Sequence, residues 1–305
     1  MRTAAGVVLA GGRSTRMGRP KAWLEWHGST LLYRAAAILA RTVGGPVVVV
    51  AAPGQELPPL PPGVSVAADP VEGLGPMQGL AVGLAAVAGR AEAAFVCSTD
   101  LPFLHPAFIR RVLRGLTPGV DVALPVAGGF RQPLAAAYRT SLAGLIKDLL
   151  DAGDLRPGML FQHCEVSRLG EAELLADAEL ARHDPALESV LNVNSPDDYA
   201  TARARRPPQV VVEVFGALAR NCGEGPRAAR AQNDGDGPLA GRAEHGGGGP
   251  HTVPAATLGA AARAVGLLLD RHVVVALNGR RVTPEEAFPL VTGDTIAFHP
   301  ADAAR

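Results

Sequence analysis

Four consecutive valines, Val47 to Val50, stand between Pro46 and Ala51-Ala52 in a chain of 305 residues. A strand with one wetted face alternates apolar and polar side chains. An unbroken β-branched run fits a strand buried on both faces, the position strands take when helices cover both sides of a parallel sheet. The run predicts a strand over Pro46–Ala52, and shorter apolar runs predict strands at Val7–Ala10, Val64–Ala68, Ala93–Ser98, Val120–Pro125 and Leu134–Tyr138. Between them, apolar residues at helical spacing predict helices over Ser29–Val43, capped by Ser29 or Thr30, and over Gly79–Ala88, Pro106–Leu116 and Ser141–Leu150. Strands alternating with helices specify an α/β domain with a mostly parallel sheet.

The length suggests two domains. The Arg- and Pro-rich stretch Ala202–Pro208 marks the boundary, giving a first domain over 1–204, a linker at 205–208 and a second domain over 209–305. The second domain is expected to be small and mixed, with strands at Gln209–Phe215, His272–Leu277 and Asp294–His299 and a helix over Pro254–Leu269. Within it, Asn221–Thr252 is rich in glycine and charge and holds almost no large apolar residue, so a disordered insertion is expected there.

Hydrophobic residues make up 48% of the chain and aromatics only 4%, so Ala, Val and Leu must fill the core. The formal net charge of +0 provides no global basic field for nucleic acid or an acidic membrane surface. No run approaches the roughly 18 apolar residues of a membrane helix. The apolar start, Met1–Gly12, is too short for a signal peptide. Cys97, Cys164 and Cys222 are odd in number and widely spaced, with no CxxC pair, which speaks against a zinc site and for reduced thiols in a cytoplasmic protein. Cys97 lies in an apolar run and is expected in the core.

The chemistry concentrates after the first strand. Leu9-Ala-Gly-Gly-Arg-Ser-Thr-Arg-Met-Gly-Arg-Pro-Lys21 pairs two glycines, Gly11 and Gly12, with four cations, Arg13, Arg16, Arg19 and Lys21. Glycine lets a backbone approach a ligand closely, successive N–H groups cradle anions, and Arg and Lys add charge for phosphate oxygens. A turn with a solvated basic face is the plainer reading, but the coincidence of strand, glycines and cations favours phosphate binding. Neither G-x-x-x-x-G-K-[ST] nor G-x-G-x-x-G is present, which excludes a Walker A loop and a dinucleotide fingerprint. Asp100 is delivered by the strand Ala93–Ser98 and precedes Leu101-Pro102. A carboxylate there is either a turn residue or a hard oxygen ligand suited to Mg²⁺. Asp69 follows Val64–Ala68 and precedes Pro70, where a turn is again the plain alternative. Ser195-Pro-Asp-Asp reads as a helix start, with Ser195 as cap and Asp197 and Asp198 near the positive end. His27 and His105 are expected at the surface or in caps, and no Ser-His-Asp set is needed.

The loop resembles the signature Leu-x-Gly-Gly-x-Ser-x-Arg-Met-Gly-x-x-Lys of nucleotidyltransferases like molybdenum cofactor guanylyltransferase, and residues 5–203 follow that family in order. The resemblance implies a Rossmann-like fold with the nucleotide at the carboxyl ends of the strands. It implies nucleotide contacts from Leu9, Ala10, Gly11, Gly12, Arg13, Ser14, Arg16, Lys21, Asp69, Gly75, Pro76, Gly79 and Asp100. Arg16 and Lys21 would meet phosphates and, with Asp100, carry catalysis; Asp100 would hold Mg²⁺ in an Asp-x-Pro metal motif. The loop Gly75-Pro-Met-Gln-Gly79 corresponds to the family's Gly-Pro-Leu-x-Gly, with Met77 in place of Leu, and is expected to help recognise the base. Gln132 and Pro133, and Asn192 and Asn194 of the Asn-x-Asn element, correspond to the acceptor side. The implied reaction transfers GMP from GTP to the phosphate of molybdopterin with release of pyrophosphate. Two departures bear on the base. Val50 stands where guanylyltransferases carry Asn, and Pro20-Lys21 is similar to related cytidylyltransferases, although Gly11-Gly12 is not. CTP in place of GTP, another phosphorylated acceptor, and a non-catalytic nucleotide-binding scaffold are the alternatives.

The second domain resembles the ubiquitin-like β-grasp sulfur carriers of molybdopterin and thiamine synthesis through Ala276-Leu-Asn-Gly279 and Leu290-Val-Thr-Gly-Asp-Thr-Ile-Ala-Phe298. Those carriers end in Gly-Gly, whereas this sequence ends Ala301-Asp-Ala-Ala-Arg305. The expectation is a domain that is not activated as a carrier and instead docks proteins of the molybdenum cofactor pathway.

Overall fold

The computed structural model describes residues 3–11, 19–70, 74–221 and 248–301. It divides into two compact units, Met1–Arg205 and Arg206–Arg305.

The first unit runs β1 (Ala4–Leu9), β2 (Glu25–Trp26), β3 (Ser29–Thr30), α1 (Leu31–Thr42), β4 (Val47–Ala51), β5 (Val64–Ala68), α2 (Gly75–Val87), β6 (Ala93–Ser98), α3 (Pro106–Arg114), β7 (Val122–Ala127), β8 (Phe130–Arg131) and β9 (Ala135–Arg139). It continues with α4 (Leu142–Asp151), α5 (Pro157–Leu160), β10 (Val166–Leu169), α6 (Glu171–Leu175), α7 (Ala178–His183) and α8 (Pro196–Arg203). The main sheet has the order β10-β7-β9-β6-β1-β4-β5, and β8 pairs β7. β1 pairs β4 and β6 in parallel, β4 pairs β5 in parallel, and β7 pairs β10 in parallel. β9 runs against its neighbours β6 and β7, and the short β8 runs against β7. Six carboxyl ends therefore share one edge of the sheet. The chain builds outward from β1 through β4 to β5, then returns to place β6 on the other side of β1. That reversal opens a crevice at the carboxyl end of β1, where open α/β sheets take ligands.

The valine run behaves as its composition dictates. Val47 to Val50 are each at most 4% exposed. Val48 and Val50 join Val7, Leu9, Met77, Leu80 and Leu84 in one cluster beneath α2. The other face of β1 takes α1, where a Cβ on Gly6 would approach Leu39 to 3.0 Å. α2 lies closer still: a Cβ on Gly83 would sit 2.4 Å from Val7 Cγ1. Small residues thus set how near the helices come to the sheet. Cys97 is fully buried, as expected, and burial together with the Asp100 charge raises its thiol pKa.

Several boundaries move. Of the two candidate caps, Thr30 caps α1, its side chain accepting from Tyr33 N–H. α2 starts at Gly75 and not at Gly79, because Pro76 fits the first helical turn, where its missing N–H costs nothing. The expected loop Gly75–Gly79 is therefore the first turn of a helix. His105 caps α3, its Nδ1 accepting from Ala107 N–H, and is buried.

The second unit comprises β11 (Gln209–Val214), α9 (Ala217–Asn221), β12 (Gly248–Pro254), α10 (Leu258–Ala264), β13 (Val273–Leu277), β14 (Arg280–Val282) and β15 (Thr295–Pro300). Its sheet order is β12-β11-β15-β13-β14, with β11 parallel to β15 and the other pairs antiparallel. Val210, Val212, Val214, Leu258, Val275, Leu277, Ile296 and Phe298 make its core. Asn278, in the left-handed region at φ 50°, donates from Nδ2 to Asp294 Oδ1 at 2.8 Å and accepts from Thr295 N–H at 2.9 Å. Asp294 Oδ2 also accepts from Val291 N–H. The two motifs singled out in the sequence are thus one polar pin joining the β13–β14 turn to the start of β15.

Two expectations here are corrected. Residues 248–252 were expected in a disordered insertion, yet they form part of β12, and Asn221 ends α9. Backbone pairing with Val210–Val214 supplies the order that the small and polar side chains do not signal. The rest of that stretch, 222–247, lies outside the described residues. The helix expected over Pro254–Leu269 is shorter: Thr257 caps it by accepting from Ala260 N–H, and Gly266 at φ 74° follows its end.

Candidate active site

The reversal crevice collects most of the residues singled out in the sequence. Leu9 ends β1, buried against Gly79 of α2, where a Cβ would meet Leu9 at 3.3 Å. Gly79 is a packing residue that brings α2 against the start of the loop. Ala10 and Gly11 both donate to Val50 O, at 2.8 and 3.2 Å, so the chain leaves the sheet tied to β4. Gln55 clamps the same point, donating to Ala10 O at 3.0 Å and accepting from Ala52 N–H at 2.9 Å. Asp69 follows β5 at the same edge, its N–H held by Ala51 O at 2.8 Å. Gly75 takes φ 73° at the head of α2, a conformation that favours glycine, and Pro76 beside it is exposed. Gly12, Arg13, Ser14 and Arg16 lie outside the described residues.

The loop returns at a short 3₁₀ turn, Lys21–Trp23. Lys21 Nζ lies 2.9 Å from Asp100 Oδ2 and 3.0 Å from Asn194 Oδ1. Three segments far apart in sequence therefore converge on one ammonium group. Asp100 stands two residues beyond β6, and Ser98 donates to its Oδ1. Its backbone carbonyl accepts from Val193 N–H at 3.0 Å, which fixes the Asn192–Asn194 strip beside it. Asn192 is exposed on that strip. Ser195 and Asp198 form a capping box with Pro196 at the first helical position of α8, as the sequence indicated. Asp198 also accepts from Asn194 N–H, and the Ser195 and backbone hydrogen bonds hold its carboxyl below the usual range. Asn194 is therefore the last residue before a fixed helix start.

One buried charge supports the site from behind. Arg34 on α1 is 6% exposed and donates from Nε to Pro102 O at 2.6 Å, steadying the turn that carries Asp100. Neither Arg34, Gln55 nor Ser98 carries a sequence signal; each acts through a backbone atom or a neighbour that only the fold identifies.

Beside this centre lies a cleft of about 480 Å³ whose walls include Gly128, Phe130, Gln132, Glu171, Leu187 and Glu188. Gln132 donates to Ala127 O at 3.4 Å and its N–H meets Pro125 O at 2.9 Å; Pro133 O accepts from Tyr138 Oη at 2.7 Å. Leu191 on the cleft wall leads directly into the Asn192–Asn194 strip, and Leu134 O, two residues after the wall residue Gln132, accepts from Ser98 N–H at 3.2 Å.

With the geometry in place, comparison with known proteins is decisive for the first unit. A family model described as "MobA-like NTP transferase domain" matches residues 6–166. The chain belongs to the MobA-like NTP transferase family. A "Probable molybdenum cofactor guanylyltransferase" of Mycobacterium tuberculosis strain H37Rv is 41% identical over 173 residues, spanning 55% of this chain and 84% of the relative. A relative of the same name from Mycobacterium ulcerans is 39% identical over 188 residues, 60% of this chain and 92% of its own. In fold, the chain is similar to the crystal structure of molybdopterin-guanine dinucleotide biosynthesis protein A from Archaeoglobus fulgidus, with TM-score 0.51, 22% identity and coverage of 65% of this chain and 96% of that one. This MobA-like chain is a nucleotidyltransferase, and its mostly parallel α/β sheet is the fold of that group.

The donor set of this candidate site fits a divalent cation that takes few protein ligands. Among the described residues no group of three or more His, Cys, Asp or Glu could hold a metal ion, so no all-protein cage is offered there. Mg²⁺ usually takes one or two carboxylates and completes its shell with water and phosphate oxygens. Asp100 provides such a carboxylate, 15% exposed, and its Oδ2 already accepts a cation in the form of the Lys21 ammonium.

Proposed function

We propose that this MobA-like transferase moves GMP from GTP to the phosphate of molybdopterin, with Mg²⁺ and with release of pyrophosphate. The observation that carries the chemistry is the convergence of Lys21, Asp100 and Asn194 just beyond the carboxyl end of β6. The names of the relatives support the guanine base and the molybdopterin acceptor.

In this reading an oxygen of the acceptor phosphate attacks the α-phosphorus, the bond from that phosphorus to the α–β bridging oxygen breaks, and pyrophosphate leaves with the electron pair. Such a transfer needs alignment and charge neutralisation more than a protein nucleophile. Asp100 would hold Mg²⁺, which would supply charge neutralisation on the phosphates. Gly11 and Gly12 bring backbone close to the triphosphate, and Arg13, Ser14, Arg16 and Lys21 meet its oxygens. Lys21 leaves Asp100 for the phosphates when nucleotide arrives, because a dense anion outcompetes a single carboxylate for the ammonium. Asn194 steadies that ammonium during the exchange. Asp69, Gly75 and Pro76 line the nucleoside end, while Gln132, Pro133 and Asn192 face the acceptor.

Val50 bears on the base. Its side chain is 2% exposed and packs into the core beneath α2, so base reading falls to other groups around the crevice. A competition assay tests the choice: with equimolar GTP and CTP, mass spectrometry of the product should show the guanine dinucleotide, and the cytosine product would replace the base while keeping the mechanism.

For the second unit we infer a ubiquitin-like β-grasp fold that docks partners of the same pathway. Its support is the sheet order, in which the first and last strands lie parallel at the centre with a hairpin on one flank and α10 crossing between the halves. The protein works in the cytoplasm on this reading; no helix among the described residues is long and apolar enough to cross a membrane.

A further inference from the structure

The cleft beside the transfer centre is acidic where an acceptor phosphate would demand the opposite. Among the described residues its charged wall residues are Glu171 and Glu188, with no Lys or Arg. Glu188 is committed to Arg205, whose guanidinium also lies 4.7 Å above the Phe103 ring. Glu171 is different. It begins α6, and its Oε1 accepts from Gly128 N–H at 2.7 Å, which ties this carboxylate of the cleft wall to the turn before β8. The Gly128 N–H points there because Gly128 and Gly129, at φ 60° and 78°, make the two-residue turn between β7 and β8. A two-residue turn with both central residues at positive φ closes such a hairpin tightly. Phe130, 75% exposed, stands on the same wall immediately after that turn.

These features sort the two ends of a molybdopterin-type acceptor. Its phosphate belongs with the Lys21 ammonium and is repelled by the carboxylates of the cleft. Its other end, the pterin ring, is a flat heteroaromatic whose 2-amino and N3–H groups form a two-donor edge. A carboxylate accepts such donors, and Glu171 keeps acceptor capacity beyond its one bond from Gly128 N–H. Phe130 offers an aromatic face for the ring. The reach is adequate: Leu191 on the cleft wall is three residues from Asn194, a span of at most about 11 Å of extended chain. We propose that the cleft takes the pterin ring of the acceptor and that Glu171 reads its 2-amino/N3–H edge, making Glu171 a specificity-determining residue. The proposal rests on the guanylyltransferase reading for the identity of the acceptor.

The test uses the full chain and two fluorescent probes, 6-hydroxymethylpterin and 6-hydroxymethyllumazine, which differ by an amino group against a carbonyl at position 2. Titration followed by fluorescence should give about tenfold tighter binding of the pterin, since a carboxylate facing a carbonyl loses a partner and gains a repulsion. Glu171→Gln, which can still accept from Gly128 N–H, should bring the ratio close to one and leave GTP affinity by calorimetry unchanged. Glu188→Gln should keep the ratio. With molybdopterin as acceptor, Glu171→Gln should raise KM about tenfold and change kcat less. Equal binding of both probes by the wild type, binding of neither, or an undiminished ratio in Glu171→Gln would overturn the proposal. Because the probe titration involves neither GTP nor turnover, a pterin preference without pyrophosphate release would count against the transferase reading alone.

Discussion

Lys21 serves two partners in this account, and its substitutions separate them. In the free protein its ammonium neutralises Asp100, 2.9 Å away. With nucleotide bound it belongs to the phosphates. Lys21→Met should therefore weaken GTP binding by at least tenfold in calorimetry and, without nucleotide, strengthen Mn²⁺ binding followed by paramagnetic resonance. Unchanged Mn²⁺ affinity would mean that the ammonium does not compete for Asp100. Asp100→Asn keeps the shape and removes the charge; it should lower kcat by about 10²-fold or more, on the scale of losing a main electrostatic contact in a transfer step, and a rate within threefold of the wild type would refute the metal assignment. The main lines of this centre were legible in the sequence. Lys21, Asp100 and Asn194 each stand in a motif that the sequence shares with the family it resembles. Their supports were not: Gln55, Ser98 and Arg34 work through single hydrogen bonds set by tertiary packing, and no spacing rule links position 34 to position 102. Glu171 and Phe130 gave no signal either, because one exposed carboxylate and one exposed ring acquire a role only when a cleft joins them.

At the scale of elements, the alternation of valine-rich runs and helical stretches was enough to fix the α/β class, since a strand buried on both faces leaves few other arrangements. The misplaced boundaries have separate causes. Glycine and proline in Gly75–Gly79 read as a loop, but a proline in the first turn is compatible with a helix and Gly79 is there for close packing on Leu9. In β12 the backbone supplies the order, and side-chain composition is silent about it. Close packing also predicts the cost of change. Gly83→Ala places a Cβ 2.4 Å from Val7 Cγ1 inside a rigid core, so it should destabilise the protein by about 1–3 kcal/mol in urea denaturation; a neutral result would show that α2 can shift freely. The start of α8 makes a pH-dependent prediction. The cap hydrogen bonds hold Asp198 below its ordinary 3.8, so its contribution is complete above that value and fades as pH falls through the lowered one. The difference in melting temperature between wild type and Asp198→Asn should therefore be present at neutral pH and shrink in acid below 3.8. A difference that stayed constant with pH would show that the charged cap adds nothing.

At the scale of the molecule, two compact units meet at Arg205–Arg206 in the chain, and each has its own hydrophobic cluster. The family match lies within the first unit. A protein ending at Arg205 should thus fold and keep its pyrophosphate-releasing activity, with the loss appearing only in binding to pathway partners. A folded truncation without activity would establish coupling between the units. The central claim is that the first unit is a guanylyltransferase, and its most direct measurement is pyrophosphate release by the purified full chain with Mg²⁺ and molybdopterin, GTP against CTP. Release should require the acceptor and prefer GTP. Folded protein that binds GTP yet releases no pyrophosphate with molybdopterin present would contradict it.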